Sequence, residues 1–110
     1  MNQEITEVLS VMSKGIRELF SEIESIMKVS ISEKISEKMW SKMPSYYVGT
    51  NFVRLIPFRD HINIEARAIS ANKQHFDKYK ITPKGMLQIY VNQAIPVEGL
   101  KKVFCETLLA

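Results

Sequence analysis

The chain has 110 residues, 45% hydrophobic and 25% charged, which is the size and make-up of one globular domain with one core and no room for a second. A formal charge of +3, from 15 Lys and Arg against 12 Asp and Glu, is too slight for the clustered field of a nucleic-acid binder. No apolar run approaches the roughly 18 residues of a membrane span, and the opening MNQEITEVLS has neither the basic start nor the apolar centre of a signal peptide, so the expectation is a single cytoplasmic domain over residues 1–110 with neither nucleic acid nor membrane as partner.

The first stretch reads as helix. Ile5, Val8, Leu9, Met12, Ile16, Leu19, Phe20, Ile23 and Met27 recur at spacings of three and four and form one apolar stripe, with a weak point near Ser13 to Gly15 where a kink or break is expected. A second helix is predicted next. SISE at Ser30 to Glu33 has capping-box form, Ile31, Ile35, Met39 and Met43 follow on one face, and Pro44 stops the run. On that helix Lys34, Lys38 and Lys42 form a stripe, and Trp40 sits at the seam between helix and sheet as a packing residue.

From Ser45 the period changes to two. SYYVG, NFVRLIPF and HINIEA are separated by Gly49-Thr50 and Arg59-Asp60, the pattern of a three-stranded antiparallel meander. A polar helical turn over Ile69 to Lys80, a TPKG turn, a fourth strand MLQIYV at Met86 to Val91 and a closing amphipathic helix opened by Pro96 complete the order. The fold class is α+β: an antiparallel sheet of about four strands with its helices packed on one face.

Alternation assigns the two sheet faces. Val53, Leu55, Ile62, Ile64, Ala66, Leu87, Ile89 and Val91 form the apolar face that the helices must cover. With a two-residue turn at Arg59-Asp60, Phe58 lies opposite His61, Ile56 opposite Asn63 and Arg54 opposite Glu65 on the other face, joined by Gln88, Tyr90 and one of the adjacent pair Tyr46 and Tyr47. Aromatic groups around a few convergent polar ones are the pattern of a ligand or partner surface, so Arg54, Phe58, His61, Asn63, Glu65, Gln88 and Tyr90 are the candidate binding residues.

Catalytic signatures are scarce. Gly15, Gly49, Gly85 and Gly99 are isolated and make no phosphate-binding loop, and His61 and His75 lack the short spacing to a second metal ligand. The single cysteine, Cys105, lies in an apolar helical pattern and reads as a small packing residue. Glu18 and Glu22, one helical turn apart with Glu24 nearby, form a carboxylate pair of the kind that attracts a hard cation weakly. The chain is therefore expected to be a binding module and not an enzyme, taking a small ligand or a protein partner. Self-association into a homodimer through the same face and an enzyme using His61 as acid or base are the alternatives.

One resemblance adds to this reading. Met43-Pro44 followed by Tyr46, Phe58-Arg59 with His61-Ile62, Tyr79-Lys80, Lys84-Gly85 before a strand, and Ile95-Pro96 before the last helix together resemble the YdhG-like domain, a small bacterial family, over roughly residues 16 to 109. Arg59 stands where that family more often has lysine, and EARAIS departs from its usual strand ending. The resemblance implies an α+β domain, and, because some members are described as frataxin-like intracellular iron chaperones, labile iron as cargo. Iron as a hard cation would draw on Glu18 and Glu22.

Overall fold

The computed structural model describes residues 2–110. Two helices come first, α1 (Gln3–Ser10) and α2 (Lys14–Ser30), divided where the sequence weakened. Asn2 caps α1 by accepting from the amides of Glu4 and Ile5, and Ser13 caps α2 by accepting from the amide of Ile16. Strands β1 (Ser36–Trp40), β2 (Met43–Val48), β3 (Asn51–Pro57) and β4 (His61–Ala66) follow. A 3-10 helix (Arg67–Phe76), the short strand β5 (Lys80–Ile81), β6 (Leu87–Tyr90) and α3 (Val97–Leu108) complete the chain. All strand pairs are antiparallel, in the order β1-β2-β3-β4-β6-β5.

The sheet thus has six strands, not about four, and the predicted second helix is strand β1 and part of β2. A spacing of four fits a strand as well as a helix, because it is two periods of two; Ile35 and Met39 share a face under either reading. Ser30 is no N-cap: it ends α2, its hydroxyl donating to the Ile26 carbonyl at 2.7 Å. Pro44 starts no break either. It pairs with Met39 in β2 just before the β2–β3 ladder begins at Ser45 opposite Arg54, where a missing N–H is tolerated. The β1–β2 hairpin turns through Ser41 and Lys42, both at positive φ (50° and 66°). That is the sign pattern of a type I′ turn, which ordinarily selects Asn and Gly. The lysine stripe consequently dissolves, since Lys38 lies in a strand and Lys42 in a turn.

The meander has the expected register. Arg54 is opposite Glu65 and Ile56 opposite Asn63, and the Phe58 amide donates to the His61 carbonyl at 2.8 Å across the Arg59-Asp60 turn. Val53, Leu55, Ile62, Ile64, Leu87 and Ile89 are buried beneath the helices with Ile16, Phe20, Ile23, Val103 and Phe104. Val91, assigned to that face, is 47% exposed because β6 ends one residue before it. Cys105 is half-buried and its thiol donates to the Ser30 carbonyl at 3.4 Å.

A polar chain ties β1 and β2 to the helices. The Tyr46 hydroxyl donates to Glu24 Oε2 at 2.7 Å, Lys28 Nζ lies 3.6 Å from Glu24 Oε1 and 2.7 Å from Glu37 Oε2, and Glu37 Oε1 accepts from the Asn2 amide at 2.9 Å. Burial alone would raise the Glu37 carboxyl, but the Lys28 hydrogen bond, the Asn2 amide and the Lys28 charge together hold it below the ordinary value of 4.5. A carboxyl depressed in the folded state stabilises above its unfolded pKa and loses that contribution as pH falls through the folded one. The melting temperature of Glu37→Gln should therefore lie below wild type at pH 7, with the gap closing once the pH drops below about 4. A gap of constant size from pH 7 to pH 3, measured by circular dichroism, would show that the carboxylate charge is not the stabilising feature.

Candidate functional site

The helices cover one side of the sheet and leave the other bare. Because partners across antiparallel strands share a face, the register puts Ser36, Lys38 and Trp40 of β1 with Met43, Ser45 and Tyr47 of β2, then Phe52, Arg54 and Ile56 of β3. Glu65, Asn63 and His61 of β4, Gln88 and Tyr90 of β6 and Lys80 of β5 extend the same face. The sequence-predicted residues Arg54, His61, Asn63, Glu65, Gln88 and Tyr90 are thus brought together, with Phe58 at the edge beside His61. The choice between the tyrosines is also settled: Tyr47 looks outward, while Tyr46 is fully buried under the helices.

At the centre of the face Arg54 is only 7% exposed. Its guanidinium carbon lies 4.3 Å from the ring centre of Trp40 and 4.0 Å from that of Phe52, so cation–π contacts hold it between two rings. Nε donates to the Ser45 hydroxyl at 3.1 Å and Nη1 to Glu65 Oε1 at 3.3 Å, so only Nη2 lacks a partner among the described residues. Such a clamp fixes a flexible side chain at little further entropy cost. Beside it, Lys38 Nζ sits 4.5 Å from the Tyr47 ring centre, and Tyr47 and Phe52 are 6.1 Å apart. Trp40, expected at a helix–sheet seam, is instead the half-exposed outer wall of this cluster.

The second half of the face is also aromatic. His61 stacks on Phe58 at 4.8 Å and tilts against Tyr90 at 4.8 Å, with Nδ1 2.8 Å from Asp60 Oδ1. That hydrogen bond is the chief reason the exposed Asp60 carboxyl is held below its ordinary range. Tyr90 donates to Gln88 Oε1 at 3.3 Å. Asn63, nine-tenths buried, makes one weak contact from Nδ2 to Met86 Sδ at 3.8 Å, and its Oδ1 is buried without a partner, an unmet acceptor that ordinarily costs about 1–3 kcal/mol. Trp40, Ser45, Phe52 and Met86 were missed by sequence reasoning; the alternation of two in SEKMW was the signal for Trp40, hidden by the helical reading.

The perimeter is basic. Lys38 and Lys80 lie on the two outer strands, and Lys42 and Arg59 in the hairpin turns; all four are exposed and none has an ion-pair partner among the described residues. The carboxylates of the face, Glu65 and Asp60, are already engaged by Arg54 and His61.

The metal candidates lie elsewhere. Glu18 and Glu22 are exposed on α2, whereas Glu24 is turned to the core and bound by Tyr46 and Lys28. Among the described residues no group of three or more His, Cys, Asp or Glu is placed to hold a metal ion, so a cation at Glu18 and Glu22 would depend on two carboxylates and water.

Fold and site together define an α+β domain with a six-stranded antiparallel sheet, helices on one face and an aromatic, basic-rimmed surface on the other. No protein-family model, curated protein or solved structure matches the chain. Among the described residues no helix is long and apolar enough to cross a membrane.

Proposed function

We propose that this chain is a non-catalytic binding module whose bare sheet face docks a protein partner with an apolar centre and an acidic rim. The observation that carries it is the Trp40–Arg54–Phe52 clamp set in a helix-free face that also bears Tyr47, His61 and Tyr90. Trp, Tyr and Arg are the residues that dominate binding energy at protein interfaces, and a broad face suits a macromolecule better than a small ligand does. The four unpaired basic side chains around it select an acidic rim by charge. A second copy of the chain would bring that same basic rim against itself.

Trp40 is the one tryptophan in the sequence, so its emission reports on this face alone. Two synthetic amphipathic peptides of equal hydrophobicity, one acidic and one basic, serve as probes. The acidic one should shift Trp40 emission with micromolar affinity that weakens as salt rises, and Phe58→Glu should weaken it at least tenfold with little change in melting temperature, because Phe58 is 42% exposed. Equal binding of both peptides, or of neither, would sink the proposal. A dimer seen by light scattering that Phe58→Glu dissolves would replace it with self-association.

A further inference from the structure

A cavity of about 500 Å³ lies at one end of the sheet, where the β2–β3 turn, the start of the 3-10 helix and the β5–β6 turn meet. Its walls carry Thr50, Phe52, Glu65, Arg67, Ser70 and Lys84. The groups are brought there by distinct local causes. Gly85, at φ of 90°, closes a tight turn in which its amide donates to the Thr82 carbonyl at 2.8 Å, and this presents Lys84. Arg67 is anchored by one corner, Nη2 donating to the Glu106 carbonyl at 3.1 Å, which leaves Nε and Nη1 free among the described residues.

The charge balance of the cavity is one-sided. Neither Lys84 nor Arg67 has a carboxylate partner among the described residues. Glu65, the only acidic group on the wall among the described residues, is paired with Arg54 at 3.3 Å. The Ser70 hydroxyl has only a marginal bond of 3.5 Å to the Arg67 carbonyl, so it can turn to another acceptor. The buried Thr107 hydroxyl accepts from the Ala68 amide at 3.1 Å. Two unpaired cations and an available hydroxyl in one concavity form a receptor for an anion. The volume exceeds what a bare ion fills and lies in the range of small-molecule sites, with Phe52 as an apolar wall.

We propose that this cavity binds a small organic anion, its phosphate or carboxylate group held by Lys84 and Arg67 and its remainder lying against Phe52. The cavity shares Phe52 and Glu65 with the bare sheet face, whereas its anion-holding groups, Lys84 and Arg67, lie outside the clamp. Inorganic phosphate and acetate, titrated at constant ionic strength against the full chain, are the probes, followed by amide chemical shifts. One of them should give saturable shifts at Arg67, Ser70, Lys84 and Gly85 with a dissociation constant near 1 mM, about the strength two charge-assisted contacts supply. Tighter binding of phosphate assigns a phosphorylated ligand; tighter binding of acetate assigns a carboxylic acid. Lys84→Gln should weaken the better probe about tenfold and Lys84→Gln with Arg67→Gln should remove saturation, while Lys101→Gln, at a lysine already near Glu98, leaves it unchanged. Melting curves of each variant confirm folding, as Lys84 and Arg67 are both exposed. Shifts that fail to saturate with either probe, or an affinity that survives the double substitution, would overturn the site. Neither result bears on the peptide titrations read by Trp40.

Discussion

Replacing Tyr46 by alanine should cost the fold about 3–5 kcal/mol, the range for emptying a large buried aromatic site, out of a total that for a domain of this size is about 5–15 kcal/mol. Tyr46 is fully buried, and heads the fully buried side chains by volume. Burial first, and then its hydrogen bond to Glu24, push its hydroxyl far above the ordinary 10.0, so it is a neutral donor throughout the working pH range. Its proton is what Glu24, itself 7% exposed, relies on at 2.7 Å; the other contact is Lys28 at 3.6 Å. Tyr46→Phe keeps the ring and removes only that donor, which should cost about 1.5–3 kcal/mol as for a hydrogen bond to a charged group. Urea unfolding followed by circular dichroism gives both values. If Tyr46→Phe equals wild type, Glu24 finds its stabilisation elsewhere and the polar chain from Asn2 to Tyr46 is not a structural tie.

A glycine-to-alanine change should have opposite signs at two places in this protein. At Gly99 on α3, an added Cβ would lie 2.8 Å from His75 Cβ and 2.8 Å from Phe76 Cε1, closer than real carbon contacts come. Phe76 is 2% exposed and has nowhere to retreat. The helix propensity gain of about 0.5–1 kcal/mol is smaller than the overpacking cost of about 1–3 kcal/mol, so Gly99→Ala should be destabilising, and Gly99→Leu more severely so. At Gly15 in the first turn of α2 the nearest atom to an added Cβ is Val91 Cγ1 at 3.6 Å, an ordinary contact. Gly15→Ala should therefore raise stability by about 0.5 kcal/mol. Thermal melts of the three variants test the close approach of α3 to the 3-10 helix; a Gly99→Leu protein as stable as wild type would mean that the two helices separate freely.

The legible parts of this fold were those in which each residue's neighbours in sequence decide its environment. Val53 to Ala66 alternate so consistently that β3, β4, their turn and their register follow from the pleat alone, and with them the co-facial placement of Arg54, His61, Asn63 and Glu65. The break between α1 and α2 was legible for a similar reason, Ser13 being a good cap beside a flexible Gly15. Strand β5 was not, because two residues carry no period.

Tertiary structure alone decided the rest. Ser36 to Trp40 is a strand because β2 offers it a ladder and because Ser41 and Lys42 accept positive φ. A local pattern that fits both periods cannot choose between them. Adjacent Tyr46 and Tyr47 are equivalent to any alternation rule, and it is the pairing of Tyr46 with the buried Val53 that turns it inward, where Glu24, 22 residues away, accepts its hydrogen bond. The Trp40–Arg54–Phe52 clamp spans three strands, and the cavity joins Thr50, Arg67, Lys84 and Thr107 from separate elements. Composition and period thus determined the α+β class and which residues of β3, β4 and β6 face outward, since these depend on local sterics and solvent. Which outward residues touch, and what charge they enclose, was settled by long-range packing that no window of the chain contains.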